Sequence, residues 1–235
     1  MYYKWVERRF VFEEGEFYHI FNRGVNKGAL FLDAGDWRRF QSLLYVCNTE
    51  KSVVFRLLPD SLYDFERDTT IVEVVVYAQM PNHFHLVVRE IVPGGISKFI
   101  GKLTTAFSMY FNTKYERSGP VVCRPFRARH IDSDEYLRWV LSYVHINALS
   151  LFDPTWAEKT HLDMQAASTF IRNYSYSSYP DYLAIERPES KILEKSALPF
   201  DPSEMVSMDE LMESFHSFPD GSLLVQGLPL YYPVV

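Results

Sequence analysis

His83-Phe84-His85 is the sharpest chemical feature of the sequence. Residues two apart on a β-strand share a face, so Phe84, Leu86 and Val88 can turn to a core while His83 and His85 project together from the other side. Two imidazoles so placed can form half of a divalent-metal site, although such a pair on a strand is more often structural. A second pair, Tyr143 and Asn147, stands four residues apart and stacks on one helical face. Tyr136, Val140 and Tyr143 fall at helical core spacing, which explains a tyrosine without any chemistry. Asn147 lies on the same stripe and fits a dry core poorly, because its amide needs partners.

The elements that must position these residues are legible. Residues 15–23 (GEFYHIFNR) read as a strand ended by the turn-prone Asn22-Arg23-Gly24. Trp37, Phe40, Leu43, Leu44 and Cys47 repeat at helical spacing over 36–47. Residues 71–79 (IVEVVVYAQ) are dense in β-branched side chains and read as a central strand. Met80-Pro81-Asn82 breaks that strand, and residues 83–89 return antiparallel. Ile96, Phe99, Ile100, Leu103, Phe107, Tyr110 and Phe111 form the apolar stripe of a long helix over 96–115. Residues 121–131 are expected to form another strand, and Ser133 to cap a helix running to about Leu149 with Asp134 and Glu135 in its first turn. The order β-α-β-β-α-β-α predicts an α+β fold with an antiparallel or mixed sheet and helices packed on it, in the ferredoxin-like (RRM-like) group, of which the antiparallel form is the one expected.

Composition bounds the rest. The 235 residues are 47% apolar and 23% charged, as in ordinary globular proteins, and no apolar run approaches the ~18–20 residues of a membrane span. The first ten residues, MYYKWVERRF, lack a signal-peptide apolar stretch, and two cysteines cannot frame a disulfide scaffold. A reducing cytoplasm is the expected compartment. The net charge of −6 conceals an asymmetry. Residues 186–220 alone carry −6, whereas 98–130 carry +6 through Lys98, Lys102, Lys114, Arg117, Arg124, Arg127 and Arg129 against Glu116. Those cations can neutralise phosphates, with Tyr110, Tyr115 and Phe126 available to stack on unpaired bases; a solvated surface is the alternative for each charge. From about Pro188 the chain reads as a linker and peripheral acidic tail, which divides it into a domain at 1–185 and a tail at 186–235.

Taken together, PNHFHLVV, the basic helix containing YFNTKYERSGP, and DEYLRWVLSYVHIN resemble the HUH single-strand DNA nucleases. More narrowly they resemble the IS200/IS605-type tyrosine transposases of the REP-associated branch. The likeness runs from FYHIFNRGVNKG at Phe17 to NYSYSSYPDYL ending at Leu183, about 165 residues, and leaves the tail uncovered. By that resemblance His83 and His85 match the metal-binding pair, Tyr143 the single catalytic tyrosine, and Asn147 the polar residue that completes the metal site. The family's usual proline after the asparagine is Ala148 here. Its Arg-Phe pair appears as Arg124-Pro125-Phe126-Arg127, which leaves the register of the DNA-contacting arginine open.

The implied chemistry suits the residues. A free tyrosine, with a pKa of ~10, is a poor nucleophile at neutral pH. A divalent ion, Mg²⁺ or Mn²⁺, would polarise a scissile phosphate. Attack by Tyr143 would then leave a 5′-phosphotyrosine and a free 3′-hydroxyl, with no nucleotide cofactor. The resemblance implies single-stranded or hairpin DNA as partner, a nucleoid-associated location, and a monomer or homodimer. Two other readings stay open: a domesticated hairpin-binding protein that does not cut, and an RNA-binding sheet, which leaves the histidine pair unexplained. The acidic tail reads as a solvated appendage or as a segment folded over the basic face.

Overall fold

The computed structural model describes residues 11–158 and 162–217. Four strands make one antiparallel sheet: β1 (Phe17–Arg23), β2 (Val72–Met80), β3 (His83–Glu90) and β4 (Arg127–Ile131), in the order β2-β3-β1-β4. Three principal helices cover it: α1 (Ala34–Val46), α2 (Gly95–Lys114) and α3 (Asp134–Ile146). The α+β architecture and the element order agree with the sequence pattern. One strand is shorter than expected. Val121 and Val122 are buried beside it, and Val122 forms an isolated bridge to Gly24, but regular pairing begins only at Arg127. Pro125, which has no N–H to give a ladder, stands between.

Alternation along the strands separates two cores. Tyr18 and Ile20 from β1, Val72, Val74 and Tyr77 from β2, and Phe84, Leu86 and Val88 from β3 face α1 and α2. There Phe40, Phe84 and Phe107 meet ring against ring, with centroids 4.9 and 5.2 Å from Phe40. A register shift between Val74 and Val76 turns both Val75 and Val76 to the opposite face, where Val87 and α3 lie.

The ends of the helices are fixed by side chains. Asp33 caps α1 in a reciprocal box with Asp36. The N-cap of α2, Gly94, offers no side chain, and Glu90 at the end of β3 replaces it by accepting from Gly94 N–H at 2.6 Å and Ile96 N–H at 2.7 Å. Gly95 must be glycine: a Cβ there would stand 2.2 Å from the Ile71 carbonyl oxygen. Ser133 caps α3 by accepting from Tyr136 N–H. At the other end Asn147 and Ala148 keep helical angles, so the chain runs on through α4 (Leu149–Phe152).

The C-terminal third closes the β2 edge. After α5 (Met164–Asn173), Gln79 N–H donates to the Tyr176 carbonyl and Ser178 N–H to the Tyr77 carbonyl, both at 2.9 Å; Ser178 lies just before α6 (Tyr179–Tyr182). Glu194 N–H donates to the Val74 carbonyl at 2.8 Å. An edge strand so covered cannot recruit another chain. Arg187, paired with the buried Asp181, also donates to Tyr77 Oη. The described part of the acidic segment is anchored by apolar residues that its charge obscures. Ile192 joins the α1/α2 core, and Met208, Leu211, Met212 and Phe215 of α7 (Met208–Ser217) pack on α3 with Asp209, Glu210 and Glu213 outward. Residues 1–10, read for a leader, and 218–235, the end of the acidic tail, lie outside the described residues. Among the described residues no helix is long and apolar enough to cross a membrane.

Candidate active site

His83 and His85 project from β3 toward α3, as their strand spacing requires, and α3 delivers Tyr143 to them. The His85 and Tyr143 rings meet edge-on at 5.5 Å, and the His83 and His85 rings at 5.1 Å. Asn147, one turn beyond Tyr143, adjoins His83. The four candidate residues therefore form one contiguous cluster, although they come from a strand and a helix about sixty residues apart in the chain. All are deeply buried: Tyr143 is 0% exposed, His85 and Asn147 1%, and His83 5%.

A fifth residue belongs to this group and has no counterpart in the motif reading. His19 of β1 lies diagonally across from His85, with 3.0 Å between His19 Nε2 and His85 Nδ1 and the rings stacked at 5.1 Å. The signal was present in the alternation of Phe17, His19 and Phe21, opposite in sense to Tyr18 and Ile20, but it needed the β1–β3 register to acquire meaning.

Burial sets the protonation of the pocket. Desolvation holds His83 and His19 down to about 3, with the Arg129 charge adding to the effect at His19 and the Asn147 side chain opposing it at His83. His85 is held well below the ordinary value by burial and by its two imidazole neighbours. All three rings are neutral at physiological pH, so each carries one N–H and one lone pair. His83 Nδ1 donates to Asn82 Oδ1 at 2.8 Å, and Asn82 Nδ2 in turn donates to the Lys27 carbonyl at 3.3 Å. That bond leaves His83 Nε2 as the ring's lone-pair nitrogen. Among the described residues, His85 Nε2 and both amide atoms of Asn147 are buried without a hydrogen bond of normal geometry. Buried polar atoms in that condition cost about 1–3 kcal/mol each. Imidazole nitrogen and amide oxygen are both competent donors to a divalent cation, so the residues fit one. Among the described residues, no group of three or more His, Cys, Asp or Glu is placed to hold a metal.

The fold has a parallel among solved structures. The chain is similar in fold to a REP-associated tyrosine transposase bound to a REP hairpin. The match has a TM-score of 0.51 and covers 78% of this chain and 90% of that one, at 12% identity. No family model matches the chain, and no curated protein matches it in sequence. The likeness is one of fold, and it includes the four-stranded antiparallel sheet with helices packed on it.

The seven basic candidates divide between the two sides of the sheet. Arg129 pairs in register with His19, and Arg127 with Phe21, so both share the histidine face. Arg129 also reaches Tyr136 on α3. Lys98, Lys102, Lys114 and Arg117 belong to α2 and the turn after it, on the opposite side. Two of these already have partners in the chain. Lys102 Nζ donates to the Thr49 and Lys51 carbonyls at 2.6 and 2.7 Å, and Lys114 Nζ lies 2.7 Å from both Asp33 and Asp36. Arg117 stacks on Phe111, while Lys98 is exposed. Exposed Arg124 reaches Thr105 on α2 at 3.5 Å. Tyr110 and Tyr115 donate to Asp36, and Phe126 stacks near Phe12. The structure therefore brings Arg127 and Arg129 to the side of the candidate site and leaves the α2 cations away from it.

Proposed function

We propose that this chain is a metal-dependent single-strand DNA nickase and strand transferase acting at or near DNA hairpins, with Tyr143 as nucleophile. The observation that carries the reading is the meeting of His83, His85, Tyr143 and Asn147 in one buried polar cluster on a sheet face otherwise lined by apolar side chains. His83, His85 and Asn147 would hold the cation. Mg²⁺ or Mn²⁺ bound there would polarise the scissile phosphate and offset charge developing on its oxygens. Tyr143 Oη forms the bond to phosphorus, its proton leaves to solvent, and the 3′-oxygen departs as a hydroxyl. The 5′-phosphotyrosine keeps the energy of the broken diester, so a 3′-hydroxyl from the same or another strand can reverse the step. Arg129 and Arg127 lie on the correct side to bind the flanking phosphates. The fold likeness to a hairpin-bound transposase supports DNA hairpins as the substrate class.

One observation favours a second reading, hairpin binding without cleavage. Tyr143 is wholly buried, stacked on Trp139 at 5.5 Å, and Trp139 Nε1 donates to the Phe215 carbonyl of α7 at 3.0 Å. Phosphate can reach the hydroxyl only if this cover shifts. Incubation with labelled hairpin DNA from the regions flanking the gene, with Mn²⁺ or Mg²⁺, tests both readings on a denaturing gel. The nickase reading expects a covalent protein–DNA band that disappears in Tyr143→Phe. Hairpin binding with no adduct in either protein would establish the second reading.

A further inference from the structure

The two proposed ligand histidines are oriented by different devices. His83 Nδ1 faces an amide oxygen, which can only accept, so its tautomer is settled by the chain. His85 Nδ1 faces another imidazole nitrogen, His19 Nε2, at 3.0 Å, and that bond can run in either direction. If His85 Nδ1–H donates, His85 Nε2 carries a lone pair. If His19 Nε2–H donates, His85 Nε2 carries a proton and cannot bind a cation. Only the first arrangement is compatible with a loaded site, and His19 can supply it because it is fully buried, stacked on His85, and holds its Nε2 3.0 Å from His85 Nδ1.

We infer that His19 is a positioning residue for the cation: it accepts the His85 Nδ1 proton and presents the His85 Nε2 lone pair to the pocket shared with Tyr143 and Asn147. The inference rests on the metal reading above. Outer hydrogen-bond partners of this kind typically change metal affinity by about 10–100-fold when removed. Side-chain identity at position 19 should therefore matter through one acceptor atom, rather than through volume.

The test compares His19→Met with His19→Gln in the full chain. The two replacements have similar length and shape, but only Gln has an oxygen able to accept from His85. Mn²⁺ affinity, read by electron paramagnetic resonance without DNA, should fall about tenfold or more in His19→Met and stay within about threefold of the parent in His19→Gln. Equal affinities in parent and His19→Met, or equal losses in both variants, would overturn the inference. A second measurement needs no variant to fold: in the ¹⁵N-histidine spectrum of the Mg²⁺-loaded parent, His85 should be protonated at Nδ1, and protonation at Nε2 overturns the inference. His83→Ala separates the two levels of argument. A parent that binds Mn²⁺ no better than His83→Ala removes the metal reading itself, and this inference with it. A parent that binds through His83 but tolerates His19→Met removes only the role of His19.

Discussion

The two faces of this sheet are built from the same strands by the same alternation, yet they hold opposite chemistry. Toward α1 and α2, β3 presents Phe84, Leu86 and Val88 to an aromatic core. Toward α3, the intervening residues are His83 and His85, joined by His19 from β1 and Asn147 from the end of α3. One face supplies burial free energy at roughly 25 cal/mol per Å². The other holds His85 Nε2 and the Asn147 amide, which among the described residues lack a hydrogen bond of normal geometry, a state that opposes folding. The difference teaches which residues the fold needs and which it only tolerates. A side chain on the first face is explained by packing alone. The polar cluster on the second stands among apolar side chains, and packing alone does not explain it.

The largest contrast should come from matched substitutions in β3 and its neighbour. Phe84→Ala removes a fully buried ring and should cost about 3–5 kcal/mol, measured by urea denaturation. The double variant His19→Phe/His85→Leu replaces both members of a buried hydrogen bond by apolar groups. Such paired replacements are near neutral, so its stability should stay within about 1 kcal/mol of the parent. Its Mn²⁺-dependent DNA adduct should vanish. A loss of stability comparable to that of Phe84→Ala would mean that the histidines hold the fold together, and the contrast between faces would fail.

Much of this division is legible in the sequence, and the reasons for the remainder are specific. The His-Phe-His alternation states which residues share a face, and Ser133 with the following apolar stripe places Tyr143 and Asn147 on a helix. What alternation cannot state is register. His19 becomes part of the pocket only because β1 pairs with β3 so that Phe21 lies opposite His85. Local charge was also a poor guide. Lys114 reads as a free cation, but Asp33 and Asp36, about eighty residues earlier, are brought to it by the packing of α1 on α2. In α7 the acids dominate the composition, while Met208, Leu211, Met212 and Phe215 still repeat at helical spacing.

The basic residues offer the next test of the two faces. Arg129→Gln, on the histidine side, should weaken hairpin binding severalfold and reduce the salt dependence by about one counterion. Lys114→Met, across the sheet, should leave affinity within about twofold and instead lower the thermal midpoint, because it removes the ammonium paired with buried Asp36. Its loss also changes the acid response. Burial pushes the Asp36 carboxyl up, but bonds from Lys114, Tyr115, Leu32 N–H and Tyr110 outweigh this and hold it below the ordinary 3.8. A depressed carboxyl contributes stability above its unfolded value and loses it as pH falls through the folded one. The parent should therefore lose this contribution below about pH 4, and Lys114→Met should show a shallower loss there.

The smallest effect should come from the exposed acids of α7, the helix that packs on α3. Deleting everything from Pro188 cannot isolate their charge, since it also removes Ile192, Leu211 and Phe215 from the two cores. Asp209→Asn/Glu213→Gln is the sharper variant: both side chains are exposed, and Glu210, which bonds reciprocally with Ser207, is left to hold the start of α7. Stability should change by no more than about 0.5 kcal/mol. If these charges repel the DNA backbone approaching Arg127 and Arg129, hairpin affinity should rise up to about threefold at 50 mM salt. The gain should disappear at 0.5 M, where screening confines the field of these charges to a few ångströms. A gain that persists at high salt would locate the effect in the packing of α7 on α3, and hence in the cover over Tyr143, rather than in the field of the acidic segment.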